Sequence, residues 1–266
     1  MKRVRQPAVA GMFYPADPRE LRQMIREFLA QAQPSEEVPK AIIAPHAGYI
    51  YSGPIAATAY AQLLPVRERI ERVVLLGPSH RVPFHGLAIS EADSFLTPLG
   101  EVPLDRPALQ GLSDLPQVVS LEAAHANEHS LEVQLPFLQT VLDDFRLVPL
   151  VVGEASPAEV AEVLQRLWGG PETLIVISSD LSHYHDYLTA QQLDRATSEA
   201  IVTLHPEAIG YEDACGRVPV TGLLDLARRK GLEGELLDLR NSGDTAGDKR
   251  QVVGYGAYVF HAKQAA

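Results

Sequence analysis

Short runs of consecutive apolar residues alternate with stretches of helical spacing along nearly the whole chain. Residues 41–44, 72–77, 146–152 and 173–178 are short, almost wholly apolar runs and read as strands buried on both faces. Residues 86–90, a pair around 95–104 turning at Pro98-Leu99-Gly100, 235–239 and 252–260 read as further strands. A first helix is predicted to start at Asp17. There Asp-Pro-Arg-Glu supplies an N-cap, a proline at the first helical position and a glutamate at the capping-box position. Its Leu21, Ile25, Phe28 and Leu29 share one face. Further helices are predicted over 53–64, 130–142 (kinked or restarted by Pro136), 157–167, 186–204 and 219–230.

Strands alternating with helices of ten or more residues predict an α/β fold with a largely parallel or mixed central sheet and helices on both faces. No long flexible linker and no internal repeat divides the sequence, so residues 1–266 read as a single domain.

Composition narrows the class of partner. Of 266 residues, 23 are basic and 34 acidic, a net charge of −11 with no basic run. That excludes a nucleic-acid partner, because phosphate contacts need clustered Lys and Arg. The apolar stretch near the N-terminus is interrupted by Pro7, Gly11 and Pro15, and no run approaches a membrane span, so no membrane role is expected. The one cysteine, Cys215, forms no internal disulfide, and a cytoplasmic location is expected.

The placement of the histidines carries the chemical signal. His46 follows the run AIIAP, His80 follows VVLLGPS, and Asp180 and His183 follow LIVISS. Ligands of open parallel sheets bind outside the carboxyl ends of the strands, so these residues are expected to converge. Each also has the bland reading of a hydrogen-bonded loop residue. Cys215 precedes a helix and Arg217, a setting that favours the thiolate; its bland reading is a small buried hydrophobe. Two imidazoles with one anionic ligand form an open metal site, and a thiolate shifts its preference toward Cu, Zn or a softer iron site. His183 would then exchange protons, with Asp180 orienting it.

Other groups are weaker candidates. His125-Ala-Asn-Glu-His129 has i, i+4 spacing, but Glu128 lies in the wrong place for a metalloprotease motif. Glu128 and His129 are therefore expected to support the pocket, as are Glu132 and Arg217. His183-Tyr184-His185 offers a second histidine pair, His185 facing solvent in its bland reading. The polar loop from Asn241 to Asp248 lacks the spacing of a P-loop and is expected to line the pocket, with Asp244 and Asp248 as substrate or structural contacts. His205 and His261 have no neighbours that suggest a role.

VAGMFYP, APHAGYIYSGPIAATAY, LLGPSH, EHSLEVQLPFL, ISSDLSHY, ACGRVPV and RNSGDTAGDKRQVVGYGAYVF together resemble the Memo family, from Val9 to Phe260. The resemblance implies a fold similar to the class III extradiol ring-cleaving dioxygenases, whose Fe(II) is held by two His and a Glu. It implies His46, His80 and Cys215 as metal ligands, with Asp180 and His183 in the same pocket. Cys215 stands where the dioxygenases use a carboxylate, a departure from their ligand set. The resemblance further implies Fe(II) or Cu, with Zn as the redox-silent alternative, and a small, ring-bearing substrate. A radical-SAM protein and a small third protein are the implied partners. A metal-dependent oxidoreductase leads. A non-enzymatic metal-binding or scaffold protein and a Zn- or Cys-dependent hydrolase are the alternatives.

Overall fold

Four apolar runs form the middle of the protein, buried along their length except for two leading arginines. The structure is a computed structural model describing residues 2–35 and 37–263. Strand β1 (Val4–Arg5) and helix α1 (Pro18–Leu29) precede β2 (Ala41–Ala44), α2 (Tyr49–Ala61) and β3 (Arg72–Pro78). Then come β4 (Leu87–Ile89), the hairpin of β5 (Ser94–Thr97) and β6 (Gly100–Pro103), α3 (Arg106–Gln110), β7 (Val118–Ser120) and α4 (Glu122–Ala126). Helix α5 (Leu135–Val141), β8 (Arg146–Val152), α6 (Pro157–Arg166), β9 (Thr173–Ser178) and β10 (His183–His185) follow. Helices α7 (Tyr187–Val202) and α8 (Arg217–Lys230) and the hairpin of β11 (Leu232–Asn241) and β12 (Val252–Ala262) complete the order.

The main sheet runs β10-β12-β2-β9-β3-β8-β4-β7, with β11 also paired to β12. Its centre, β2-β9-β3-β8, is parallel. Antiparallel pairs flank it, β12 on β2 and β4 on β8. Strands buried on both sides require cover on both faces. Helix α2 lies on β2, β11 and β12 and packs against α1 and α5, while α8 packs on α6 and lies on β3 and β9. Strands β1, β5 and β6 make a second, three-stranded sheet.

The mixed sheet expected from the sequence is therefore present, with differences at element ends. Helix α2 starts at Tyr49, four residues before Gly53, and Gly53 instead serves packing: a Cβ there would lie 2.4 Å from the Phe28 ring of α1. Pro136 restarts the helix as expected, a 3-10 turn over Glu132–Gln134 passing into α5. Asp17 caps α1 by accepting from the amides of Arg19 and Glu20. Strands β1, β7 and β10, of two or three residues, have no apolar run of their own and exist through their pairing. No helix among the described residues is long and apolar enough to cross a membrane.

One buried ionic cluster ties the N-terminal segment to the segment that carries Glu128 and His129. Glu132, fully buried, accepts from the Arg5 guanidinium, the amides of Ala8 (2.8 Å) and Val9 (3.0 Å) and the Tyr14 hydroxyl (2.6 Å). Arg5 also donates to the carbonyls of His125 (3.1 Å) and Glu128 (2.7 Å). Removing one partner of a buried pair strands the other charge. Glu132→Ala should thus lower the unfolding free energy by about 3–5 kcal/mol in urea titration. A loss under about 1 kcal/mol would show that the cluster does not anchor this segment.

Candidate metal centre

The parallel strands β2, β3 and β9 deliver their chemistry to the same edge of the sheet. His46 lies just past β2, His80 past β3, and Asp180 and His183 past β9. Cys215 joins them from the turn before α8. Gly216 makes that approach feasible, since a Cβ there would lie 2.6 Å from the Ser179 Cβ. Hydrogen bonds complete the junction, from the Cys215 amide to the Asp180 carbonyl (3.3 Å) and from the Gly216 amide to Ser179 Oγ (3.0 Å).

Ligand atoms of His46, His80 and Cys215 lie within 4.8 Å of one another. The Cys215 sulfur is 3.2 Å from His46 Nε2. The hydrogen-bond network fixes which nitrogen of each ring is free. Ser178 Oγ donates its only proton to the Ser130 carbonyl (2.6 Å) and accepts from Gln134 Nε2 (2.7 Å). His46 Nδ1, 2.8 Å away, must then be the donor to Ser178, leaving a lone pair on Nε2. His80 Nδ1 lies 2.8 Å from Glu128 Oε1. Burial works to raise the Glu128 carboxyl, but the hydrogen bond and charge of His80 override it and hold it at about 2. An ionised carboxylate only accepts, so His80 donates from Nδ1, and Nε2 is the nitrogen left for a metal. Metal-ligating histidines are commonly oriented in this way.

Glu128 also accepts from the amides of His80 (2.6 Å), His129 (2.9 Å) and Ser130 (2.9 Å). The His129 ring stacks on His80 with centroids 4.5 Å apart, and its buried Nδ1 has no hydrogen-bond partner. Burial, helped by His80, lowers His129 to about 4, and burial holds His46 well below its ordinary value. Both rings are therefore neutral at physiological pH.

Asp180 is buried, accepts from the His46 amide (2.7 Å), and is pushed up to about 7 by burial despite that bond. It does not orient His183, contrary to expectation: His183 Nδ1 donates to the Leu181 carbonyl (2.8 Å). His183 Nε2 thus keeps a lone pair, and burial lowers the ring's basicity. His183, Asp180 and His129 line a cleft of about 900 Å³ with Phe13, Tyr51 and Tyr255.

Other expected roles change. The helix terminus and Arg217 were expected to favour the Cys215 thiolate, but burial and the neighbouring Asp180 push the thiol up. Arg217 stacks over Tyr211 at 5.8 Å and does not line the cleft. Asp244 accepts from the Tyr187 hydroxyl (2.5 Å) and the Asn241 amide (3.0 Å), a structural role, whereas Asp248 does line the cleft. His125 does not join His129 as a ligand pair, since its Nε2 donates to the Ala88 carbonyl at 2.9 Å. Ser178 and Gln134, which set the His46 tautomer, carry no sequence signal beyond being polar residues in buried segments.

Fold and site together define an α/β protein with a candidate mononuclear metal centre at the carboxyl edge of a mixed sheet. The chain belongs to the Memo family: the family described as Memo-like protein matches residues 5–259. A MEMO1 family protein of Aquifex aeolicus is 40% identical, the alignment covering 97% of this chain and 99% of that protein. One of Methanopyrus kandleri is 39% identical, over 96% and 98% respectively. An uncharacterized Escherichia coli K12 protein of known crystal structure shares the fold with a TM-score of 0.55 at 12% identity, over 82% of this chain and 98% of that one.

Glu128→Gln, which removes the charge that holds His80, should weaken metal binding by about 10–100-fold in competitive chelator titrations, with the circular dichroism spectrum kept. Arg217→Ala should leave the affinity at the wild-type value. A ligand sulfur must shed its proton, and this thiol is held protonated, so metal affinity should rise about tenfold per pH unit between about pH 6 and 8. Cys215→Ser should lose that slope; an equal slope in the variant would remove the thiol from the ligand set.

Proposed function

We propose that this chain is a mononuclear metal-dependent oxidoreductase acting on a small, ring-bearing substrate. The observation that carries the reading is the convergence of two imidazoles, each with Nδ1 committed to a partner and Nε2 left for a ligand, on one sulfur. This donor set suits a transition metal: two neutral nitrogens, one sulfur, and an adjoining cleft that leaves room for a substrate. His46, His80 and Cys215 would hold Fe(II) or Cu, with Zn as the redox-silent alternative. A bound Fe(II) or Cu ion would supply a redox centre for oxygen chemistry.

The protein's own groups do the rest. His183, which lines the cleft and has Nδ1 committed to the Leu181 carbonyl, accepts a proton on Nε2 from a substrate hydroxyl. The Leu181 carbonyl keeps that ring in one tautomer throughout. Asp180 holds the His46 amide and so the position of the ligand loop. Phe13, Tyr51 and Tyr255 give the cleft flat apolar walls that exclude water from one side of a ring.

Anaerobically purified protein should contain one Fe or Cu per chain by elemental analysis, with an EPR signal that is lost or altered in His46→Ala and Cys215→Ser. His183→Ala should keep the metal and lose substrate-dependent oxygen consumption by about 10²–10⁴-fold. Stoichiometric metal without oxygen consumption across a broad panel of ring compounds would favour a metal carrier. Zn alone would favour a hydrolase.

A further inference from the structure

Tyr184 and Leu204 are the non-glycine residues with positive φ among those described, at 62° and 57°. Leu204 directly follows the C-cap of α7, where helices commonly end in this conformation. Tyr184 lies inside strand β10, where nothing about a helix end accounts for it, and an aromatic residue is poorly suited to left-handed backbone. The pairing of β10 shows what imposes it. His183 pairs with Val253 and His185 with Val252, so Tyr184 is the extra residue of a β-bulge held in register on both sides. The side chain thrown out by the bulge stays 70% exposed, yet it lines the cleft and meets the His183 ring edge-on at 5.8 Å.

Such strain is retained where the surrounding structure over-determines it, and an exposed ring makes few contacts that would offset it. We propose that Tyr184 is a specificity-determining residue, its ring placed by the bulge to stack on a planar substrate ring beside His183. This rests on the reading of the cleft as a substrate site. Phe13, Tyr51 and Tyr255 line the same cleft, so the bulge adds one more aromatic surface to a site already walled by rings. The stack selects planar over puckered rings by surface contact, with no need for charge.

The test pairs two variants with two probes. Catechol and trans-cyclohexane-1,2-diol present the same two hydroxyls on a flat and a puckered ring, and their binding is measured by calorimetry on protein whose metal content has been determined. Wild type should prefer catechol by tenfold or more. Tyr184→Phe should keep that preference and the wild-type urea midpoint. Tyr184→Asn, which removes the ring but accepts left-handed backbone, should lose most of the preference while its urea midpoint rises. All three proteins should carry equal metal. A preference unchanged in Tyr184→Asn overturns the proposal, as does wild type binding neither probe or both equally. Absence of metal from all three, with the catechol preference and its loss intact, would instead count against the oxidoreductase reading and leave the role of Tyr184 standing.

Discussion

A metal takes the lone pair of one imidazole nitrogen while the other keeps its proton, and this site commits Nδ1 of two histidines to a partner by different means. At His46 the means is a neutral chain: Tyr60 fixes the Gln134 amide, Ser130 takes the Ser178 proton, Gln134 fills one of its lone pairs, and His46 is left to donate to the other. At His80 the means is charge, the ionised Glu128. Neither device works without the parallel register of β2, β9 and β3, which places the ends of the three strands on one edge.

The same arrangement explains the cost of the site. Burial depresses His46 and His129 and raises Asp180 and the Cys215 thiol, in each case toward the uncharged form. Glu128 is the exception, and it stays ionised because three backbone amides and a ring N–H converge on it. The Arg5–Glu132 cluster clamps the segment just beyond, so the N-terminal strand, remote in sequence, supports the loop that supports His80. The turn that follows this strand also brings Phe13 to the cleft, its carbonyl accepting from the Tyr49 amide.

The buried strands were legible because an apolar run bounded by charge or turn residues has few other uses; 146–152 and 173–178 match β8 and β9 to the residue. Helix α2, expected over 53–64, runs from Tyr49 to Ala61, and packing against Phe28 makes Gly53 part of its interior. The convergence of His46, His80, Asp180 and His183 was legible from their positions past strand ends, whereas Cys215 joins the set through the family resemblance. The state of Cys215 was not: proximity to a helix start and to Arg217 suggested a thiolate, but burial has the larger effect and Arg217 turns to Tyr211. The partners of His46 and His183 were also hidden, since a serine hydroxyl and a backbone carbonyl look the same in any sequence. The bulge at Tyr184 depends on strand pairing, which no local pattern records.

One sulfur and two imidazoles are expected to meet at a single ion. X-ray absorption at the metal edge of Fe(II)- or Cu-loaded protein tests it most directly. One sulfur and two imidazole scatterers should be bound to the metal, with the sulfur contribution gone in Cys215→Ser. A metal surrounded only by nitrogen and oxygen, unchanged in that variant, would contradict it.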